Sequence, residues 1–337
     1  MNRTAPVQLL CRRPGRLLAP LVAGLVAGLV AVACLAGCGT GTLTATTLGV
    51  GAPPGRAAPA AGSRLGVIGW PADGTSAADV NGIGVLDGPG ATRPVPIASV
   101  AKLMTAFVIL RDHPLSGASP GPEITVTPAE AAAYPAEAQD GDSLVAVASG
   151  EVISERQALE ALLLPSADNM AWILARWDAG RQAAFTAKMN AAAGRLGMTG
   201  TRYTDPSGLD PATVSTAADQ VRLGMAAMRV PALAAITALP AAVIPVAGVI
   251  RTTNAVLGQD GIVGLKTGST QAAGGCLLAA AREDVRGQDT LIVAAAFGQP
   301  GSAETILPNA LRVGGDLVLA LDRALSGLTT RPGRSTL

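Results

Sequence analysis

The sequence predicts an α+β domain, in which an antiparallel sheet is flanked by helices and carries an all-helical insertion. The patterns run strand, helices, strands, helix, and short Gly-rich or charged turns separate the late apolar strands. Such close turns join antiparallel neighbours. The 337 residues are 49% hydrophobic and 15% charged, with a mean hydropathy of +0.40. This composition excludes a disordered, collagenous or coiled-coil protein and is sufficient for a large core.

The predicted elements follow from hydrophobic periodicity. Strands are predicted at 65–69, 82–86, two within 243–251, 261–267, 275–281 and 290–297. Helices are predicted at 99–111, 155–164, 169–177, 181–196, 217–228 and 303–325. Most of these helices lie between the early and the late strands, which is why we describe them as an insertion.

The N-terminus has the layout of a secretory signal. Four arginines and no acidic residue precede an apolar, uncharged run at 17–37. The run ends in Leu35-Ala36-Gly37-Cys38, which resembles a bacterial lipoprotein box, where the cysteine sulfur is lipidated. The alternative is that the same run stays uncleaved as a membrane anchor. Both interpretations predict an extracytoplasmic protein attached to the outer face of the cytoplasmic membrane.

Composition along the chain predicts four segments. Residues 1–37 form the signal, and residues 38–64 form a flexible tether rich in Gly, Thr, Ala and Pro. A folded domain occupies 65–325, and a disordered polar tail occupies 326–337.

Charge and residue counts exclude several classes of function. After Cys38 the chain carries 21 basic and 24 acidic residues, which disfavours nucleic acid as a partner. There is one histidine, His113, and only Cys276 of the four cysteines lies beyond the leader. A zinc cluster, a metalloprotease motif or a disulfide framework therefore lacks its ligands or partners, and we predict no metal site.

Lysine is scarce, with three lysines against 22 arginines, and one of them lies in an S-x-x-K motif. Ser99 and Lys102 open an amphipathic helix one turn apart, so the hydroxyl and the ammonium can touch. An apolar environment lowers the pKa of a lysine, and a neutral amine can accept the serine proton. The first-turn amides of a helix are unpaired, so the Ser99 N–H can face an oxyanion.

Two further motifs follow in order. Ser166-Ala167-Asp168-Asn169 lies between two helical patterns, and Lys266-Thr267-Gly268 lies on a strand. Together the three motifs resemble the active-site serine penicillin-recognising enzymes. The sequence around the motifs resembles the serine D-alanyl-D-alanine carboxypeptidases over about residues 90 to 300. The segments that carry this resemblance are PIASVAKLMTAFVIL, LLLPSADNMAWILA, MNAAAGRLGMTGTRYTDPSGLD and GIVGLKTGSTQAAGGCLLAAARE.

The resemblance implies a penicillin-binding/β-lactamase-like transpeptidase domain. It also implies an enzyme that removes the terminal D-alanine from peptidoglycan stem peptides ending in D-Ala-D-Ala, through an acyl-enzyme on Ser99. No cofactor is implied, and β-lactams are expected as inhibitors because they imitate that terminus.

The resemblance also implies a role for each matching residue. Lys102 would be the general base for Ser99, and Ser166 would relay a proton to the departing nitrogen. On the strand, Lys266 and Thr267 would bind the substrate carboxylate. Gly268 would let the substrate backbone lie close, and the Ser269 N–H would join that of Ser99 as the oxyanion hole.

The second motif departs from the family pattern. The family usually has Ser-x-Asn, whereas here Asp168 takes the third position and Asn169 follows. A carboxylate beside Lys102 favours the protonated amine and weakens it as a base. Either Asn169 takes the substrate-binding role, or Asp168 keeps it with a changed distribution of protons; the sequence leaves both open.

Two other functions share the three motifs. One is a β-lactamase, which must hydrolyse its penicilloyl ester quickly. The other is a wall-peptide or β-lactam-binding lipoprotein whose turnover Asp168 has weakened.

Overall fold

A computed structural model describes residues 67–285 and 287–327. Their largest sheet has five strands in the order β2-β1-β11-β10-β9, and every neighbouring pair is antiparallel. The five strands are β1 (Thr75–Val80), β2 (Gly84–Asp87), β9 (Ile262–Thr270), β10 (Gly274–Val285) and β11 (Gln288–Gln299). Because β1 and β2 precede the helical region and the other three follow it, the predicted insertion into an antiparallel sheet is confirmed.

Three two-stranded ribbons accompany the sheet, each formed by one pair of short strands. These pairs are β3 (Val95–Pro96) with β6 (Val214–Ser215), β4 (Glu123–Thr125) with β5 (Val152–Ser154), and β7 (Ala241–Ile244) with β8 (Gly248–Arg251). The helices are α1 (Ala101–Asp112), α2 (Pro128–Gln139), α3 (Glu155–Leu163), α4 (Asp168–Ala179), α5 (Gln182–Arg195), α6 (Ala217–Ala227), α7 (Pro231–Thr237) and α8 (Ile306–Ser326).

The sheet separates two apolar cores. Side chains alternate along a strand, so Leu277 and Ala279 of β10 pack in one cluster with Leu321 of α8. Their neighbours Leu278 and Ala280 pack in the other cluster, with residues of the inserted helices. Burying a leucine stabilises the fold by about 1.5–3 kcal/mol. The central strands are therefore held on both faces, and the edge strand β9 is fixed by its antiparallel pairing with β10.

The prediction of a strand at 65–69 is wrong for residues 67–69, the part of this range that the structure describes. Residues 67–69 are not in a strand, and the first strand is β1. β1 lies between β2 and β11 and is buried on both faces, so its sequence TSAADV lacks the alternation that marks a half-exposed strand.

Two helices were not among the predicted segments. α2 begins with a capping box, in which Thr127 and Glu130 bond reciprocally and Pro128 occupies the first turn. That signal is readable from sequence. α7 is only seven residues long and also begins with a proline, Pro231. Its length is below that at which periodicity identifies a helix.

Several predictions concern residues outside the described ranges. These are the signal at 1–37, the tether at 38–64 with its lipidated Cys38, and all but the start of the tail at 326–337. They stay predictions. Within 67–285 and 287–327, no helix combines the length and the apolar character needed to cross a bilayer.

Candidate active site

Ser99 lies in a 3₁₀ turn, Ala98–Val100, that leads directly into α1. This places Lys102 one helical turn further along, with its Nζ 2.7 Å from the Ser99 Oγ. Lys102 is fully buried because α1 packs in the core on nearly all sides, whereas Ser99 keeps partial exposure. The hydroxyl is therefore accessible to a substrate and the amine is not accessible to water.

Lys102 has three hydrogen-bond acceptors around its amine. Besides the Ser99 Oγ, these are Asp168 Oδ1 at 2.6 Å and the Ser207 carbonyl oxygen at 3.0 Å. Burial lowers the pKa of Lys102 below its ordinary value, and the Asp168 carboxylate offsets part of this shift. A neutral amine has two N–H donors and one lone pair. Asp168 and Ser207 can use the two donors, which leaves the lone pair for the Ser99 proton.

The Ser207 carbonyl is held in place by a loop within one of the segments that carry the resemblance, although no role at the site was predicted for it. Asp205 Oδ2 accepts hydrogen bonds from the N–H groups of Ser207, Gly208 and Leu209. Gly208 has φ +85°, and a Cβ on it would lie 1.9 Å from the Ala98 carbonyl oxygen. Asp-Pro-Ser-Gly is a strong turn signal, so the turn could be predicted from the sequence. The contact of this turn with the Ser99 turn could not be predicted.

The second motif lies at the start of α4. Ser166 has φ +68°, and its Oγ accepts a hydrogen bond from Lys266 Nζ at 2.9 Å. Asp168 is the first residue of the helix, and its Oδ2 accepts from the Ser143 N–H at 3.0 Å. The Asp168 N–H donates in turn to the Ser143 carbonyl at 2.6 Å. The carboxylate is thus fixed between Lys102 and the 143–145 segment.

Asn169 forms its side-chain hydrogen bonds with the backbone of Val145. Its Nδ2 donates to the Val145 carbonyl at 2.8 Å, and its Oδ1 accepts from the Val145 N–H at 3.3 Å. Both amide atoms are therefore occupied by the backbone of one residue. The sequence left open whether Asp168 or Asn169 takes the role of the third position of the motif. In the structure Asp168 is the residue beside Lys102, and Asn169 holds the backbone of Val145.

The third motif lies on β9, at the edge of the sheet. Lys266 is buried, and its Nζ donates to the Ser166 Oγ and, at 3.0 Å, to the Thr267 carbonyl. Burial, reinforced by the charge of Lys102, lowers the pKa of Lys266 well below its ordinary value. The Thr267 Oγ1 lies 2.6 Å from the Thr253 Oγ1, another residue that sequence analysis did not identify.

Gly268 brings β9 against the nucleophile. A Cβ on this residue would lie 3.0 Å from the Ser99 backbone nitrogen, so a larger residue would push the strand away from the turn. Ser269 follows and is partly exposed. The strand edge, the serine turn and the start of α4 therefore meet at one place, with two lysines and one carboxylate among them.

This arrangement has the parts of a nucleophilic hydrolase. It contains a hydroxyl beside a buried amine, a second hydroxyl–amine pair and the backbone N–H that opens a helix. Either amine attracts an anionic substrate when it is protonated. Among the described residues, no group of three or more His, Cys, Asp or Glu side chains is placed to hold a metal ion.

Comparison with known proteins identifies the family. Residues 72–297 match the family described as D-alanyl-D-alanine carboxypeptidase. The chain belongs to this family. The resemblance carried by the three motifs is thereby confirmed, including a serine hydrolase as the class of enzyme.

Relatives within the D-alanyl-D-alanine carboxypeptidase family cover most of the domain. D-alanyl-D-alanine carboxypeptidase DacB2 of Mycobacterium tuberculosis is 34% identical over 235 residues, which span 68% of this chain and 75% of that protein. A D-alanyl-D-alanine endopeptidase of Pseudomonas aeruginosa is 35% identical over 213 residues, spanning 61% of this chain and 65% of that protein.

A solved structure supports the fold. An evolved penicillin-binding protein homologue from Mycobacterium tuberculosis superposes with a TM-score of 0.64 at 29% identity, covering 82% of this chain and 98% of that one. The predicted penicillin-binding fold is therefore confirmed, while the roles of the individual site residues stay predictions.

Proposed function

We propose that the protein is a serine D,D-carboxypeptidase that removes the terminal D-alanine from peptidoglycan stem peptides. The observation that carries the proposal is the 2.7 Å contact between the Ser99 Oγ and the fully buried Lys102 amine. A desolvated amine in hydrogen-bond contact with a hydroxyl is the arrangement that activates a serine without histidine. Membership of the D-alanyl-D-alanine carboxypeptidase family supplies the substrate class.

Acylation begins with transfer of the Ser99 proton to the neutral Lys102 amine. The Ser99 Oγ bonds to the carbonyl carbon of the penultimate D-alanine, and the N–H groups of Ser99 and Ser269 stabilise the oxyanion. The C–N bond then breaks as the Ser166 hydroxyl gives its proton to the departing nitrogen and is reprotonated by Lys266. This proton path uses the 2.9 Å contact between Lys266 and Ser166.

Substrate binding uses Lys266, the second of the two lysines. Lys266, with the Thr267 hydroxyl, receives the C-terminal carboxylate of the substrate, and the incoming anion raises the depressed pKa of this lysine. Once D-alanine has left, the proton that Lys102 took from Ser99 passes to Lys266, which gave one up, so Lys102 is neutral again. In deacylation, water gives a proton to Lys102 as its oxygen bonds to the ester carbon. The ester bond to Oγ then breaks and Ser99 recovers its proton.

The test is labelling with fluorescent penicillin combined with an assay of D-alanine release. A carboxypeptidase retains the label on Ser99 and releases D-alanine from diacetyl-L-Lys-D-Ala-D-Ala. Rapid loss of label without D-alanine release indicates a β-lactamase, and persistent label or binding without turnover indicates a receptor. Either of the last two results would overturn the proposal.

We also propose that the domain is anchored outside the cytoplasmic membrane through a lipidated Cys38. The support is the sequence Leu35-Ala36-Gly37-Cys38 after the apolar run. Metabolic labelling with a fatty acid should mark the wild-type chain, and Cys38→Ala should remove the label. Loss of label with retention in the membrane fraction would favour the uncleaved apolar anchor instead.

A further inference from the structure

A second concavity lies just beyond the active site, where β9 turns into β10. Its volume is about 630 Å³, within the range of small-molecule sites. The residues that line it include Thr75, Arg93, Pro96, Thr270, Ala273 and Gln299. None of these residues has a role in the proposed hydrolysis.

The concavity continues the strand edge on which the substrate lies. Lys266 and Thr267 are on one side of Gly268, and Thr270 is on the other. If the leaving D-alanine has its carboxylate at Lys266, its acyl donor extends past Ser269 towards Thr270. An extended chain advances about 3.3 Å per residue. The residue before D-Ala-D-Ala therefore comes level with the mouth of the concavity.

The charges of the concavity favour an anion. Arg93 is the only charged residue among the described residues that line it. Arg93 forms no salt bridge with any described residue, and its hydrogen bond to the Gly74 carbonyl is long, at 3.4 Å. The planar guanidinium thus keeps donors for a carboxylate, which it can bind through two parallel hydrogen bonds.

A buried hydroxyl adds a second polar feature. Thr75 lines the concavity and is 1% exposed, yet its Oγ1 has no hydrogen-bond partner among the described residues. A buried polar group without a partner destabilises the folded state. The Thr75 hydroxyl is therefore a hydrogen-bonding group beside the concavity that the described residues leave unused.

We propose that this concavity binds the side chain of the residue that precedes D-Ala-D-Ala in the acyl donor, and that Arg93 pairs with a carboxylate at the end of that side chain. The inference rests on the proposed carboxypeptidase function. It makes the protein selective for stem peptides whose third residue has a side chain with a terminal carboxylate, which neither the family nor the catalytic residues specify.

The experiment compares three peptides of sequence L-Ala-γ-D-Glu-X-D-Ala-D-Ala. X is meso-diaminopimelate, its form amidated at the side-chain carboxylate, or L-alanine. The full-length wild type should release D-alanine from the acid with a kcat/KM about fivefold or more above that for the amide. Arg93→Gln should bring this ratio close to one while leaving the rate on the amide unchanged. Arg181→Gln, at an exposed arginine immediately before α5, is the matched control and should keep the ratio.

A second variant tests whether the volume of the concavity, rather than the charge of Arg93, is needed for substrate binding. Ala272 lies on the exposed turn between β9 and β10, so Ala272→Trp narrows the concavity without disturbing the core. It should lower kcat/KM for the diaminopimelyl peptide several-fold more than for the alanyl peptide, with an unchanged Tm.

The outcomes separate this inference from the function on which it rests. D-alanine release at equal rates from the acid and the amide would overturn the carboxylate site and leave the carboxypeptidase intact. A preference that persists in Arg93→Gln, or equal losses on all peptides in Ala272→Trp, would also overturn it. No release from any peptide would instead contradict the proposed function.

Discussion

Asp168 Oδ1 lies 2.6 Å from Lys102 Nζ, and both side chains are almost completely shielded from solvent. The ion pair is therefore part of the environment that determines the pKa of Lys102, the proposed base. Burial lowers the pKa of Lys102, and the carboxylate acts in the opposite direction. The balance between these two effects decides what fraction of the enzyme holds a neutral amine at a given pH.

Replacement of this carboxylate by an amide is expected to make Lys102 a better base at low pH. In Asp168→Asn the anion is lost, so the pKa of Lys102 falls further and the acidic limb of kcat/KM for acylation moves to lower pH by about one unit. The measurement is the rate of penicillin acylation between pH 5 and 9. Asp289→Asn, at an exposed strand position, serves as the control. An acidic limb that does not move would show that the pair does not control the base.

Asn169 is expected to contribute to stability rather than to chemistry. Asn169→Ala removes two buried hydrogen bonds to Val145, so the free energy of unfolding should fall by about 1–3 kcal/mol. Chemical denaturation checks this value. The purified, folded variant should still be acylated by penicillin, because Asp168 keeps its contact with Lys102. A stable variant that fails to acylate would assign Asn169 to the active site instead.

Glu155 makes stability depend on pH away from the active site. This residue begins α3, is fully buried, and has both carboxylate oxygens without partners among the described residues. Burial raises its pKa to about 7, and Arg156 offsets part of this shift. The folded state thus binds the proton more tightly than the unfolded state, so stability is lost as pH rises from about 4.5 to about 7.

The corresponding variant is Glu155→Gln, which cannot ionise. Relative to the wild type, its free energy of unfolding should be higher by about 2–3 kcal/mol at pH 8 than at pH 5. Denaturation curves at the two pH values measure the difference, and Glu123→Gln, at an exposed strand position, controls for loss of a surface charge. If the two glutamine variants respond equally to pH, the buried carboxyl does not control this dependence.

The parts of the site that depend on local geometry could be predicted from the sequence. Ser99 and Lys102 are one turn apart on a helix, and this spacing alone predicts their contact. The contact between Lys266 and Ser166 joins residues from separate motifs, and only the family resemblance indicated it. The orientation of Asp168 and Asn169 was not predictable, because it depends on the 143–145 segment, which has no recognisable pattern.

The same distinction holds for the fold. The late strands and most helices follow from periodicity, whereas β1 was missed because burial on both faces removes the alternation. The loop at Asp205 has readable turn chemistry, but its role depends on the Gly208 backbone meeting that of Ala98. Contacts between residues far apart in sequence leave no local signal.

The most direct test is the release of D-alanine by wild type and by Ser99→Ala. Both proteins should be purified with the same Tm and assayed on diacetyl-L-Lys-D-Ala-D-Ala at equal concentration. We expect steady release by the wild type and a loss of at least about 1000-fold in the variant, because the acyl-enzyme cannot form. Equal rates from the two proteins would contradict a mechanism that depends on the Ser99 hydroxyl.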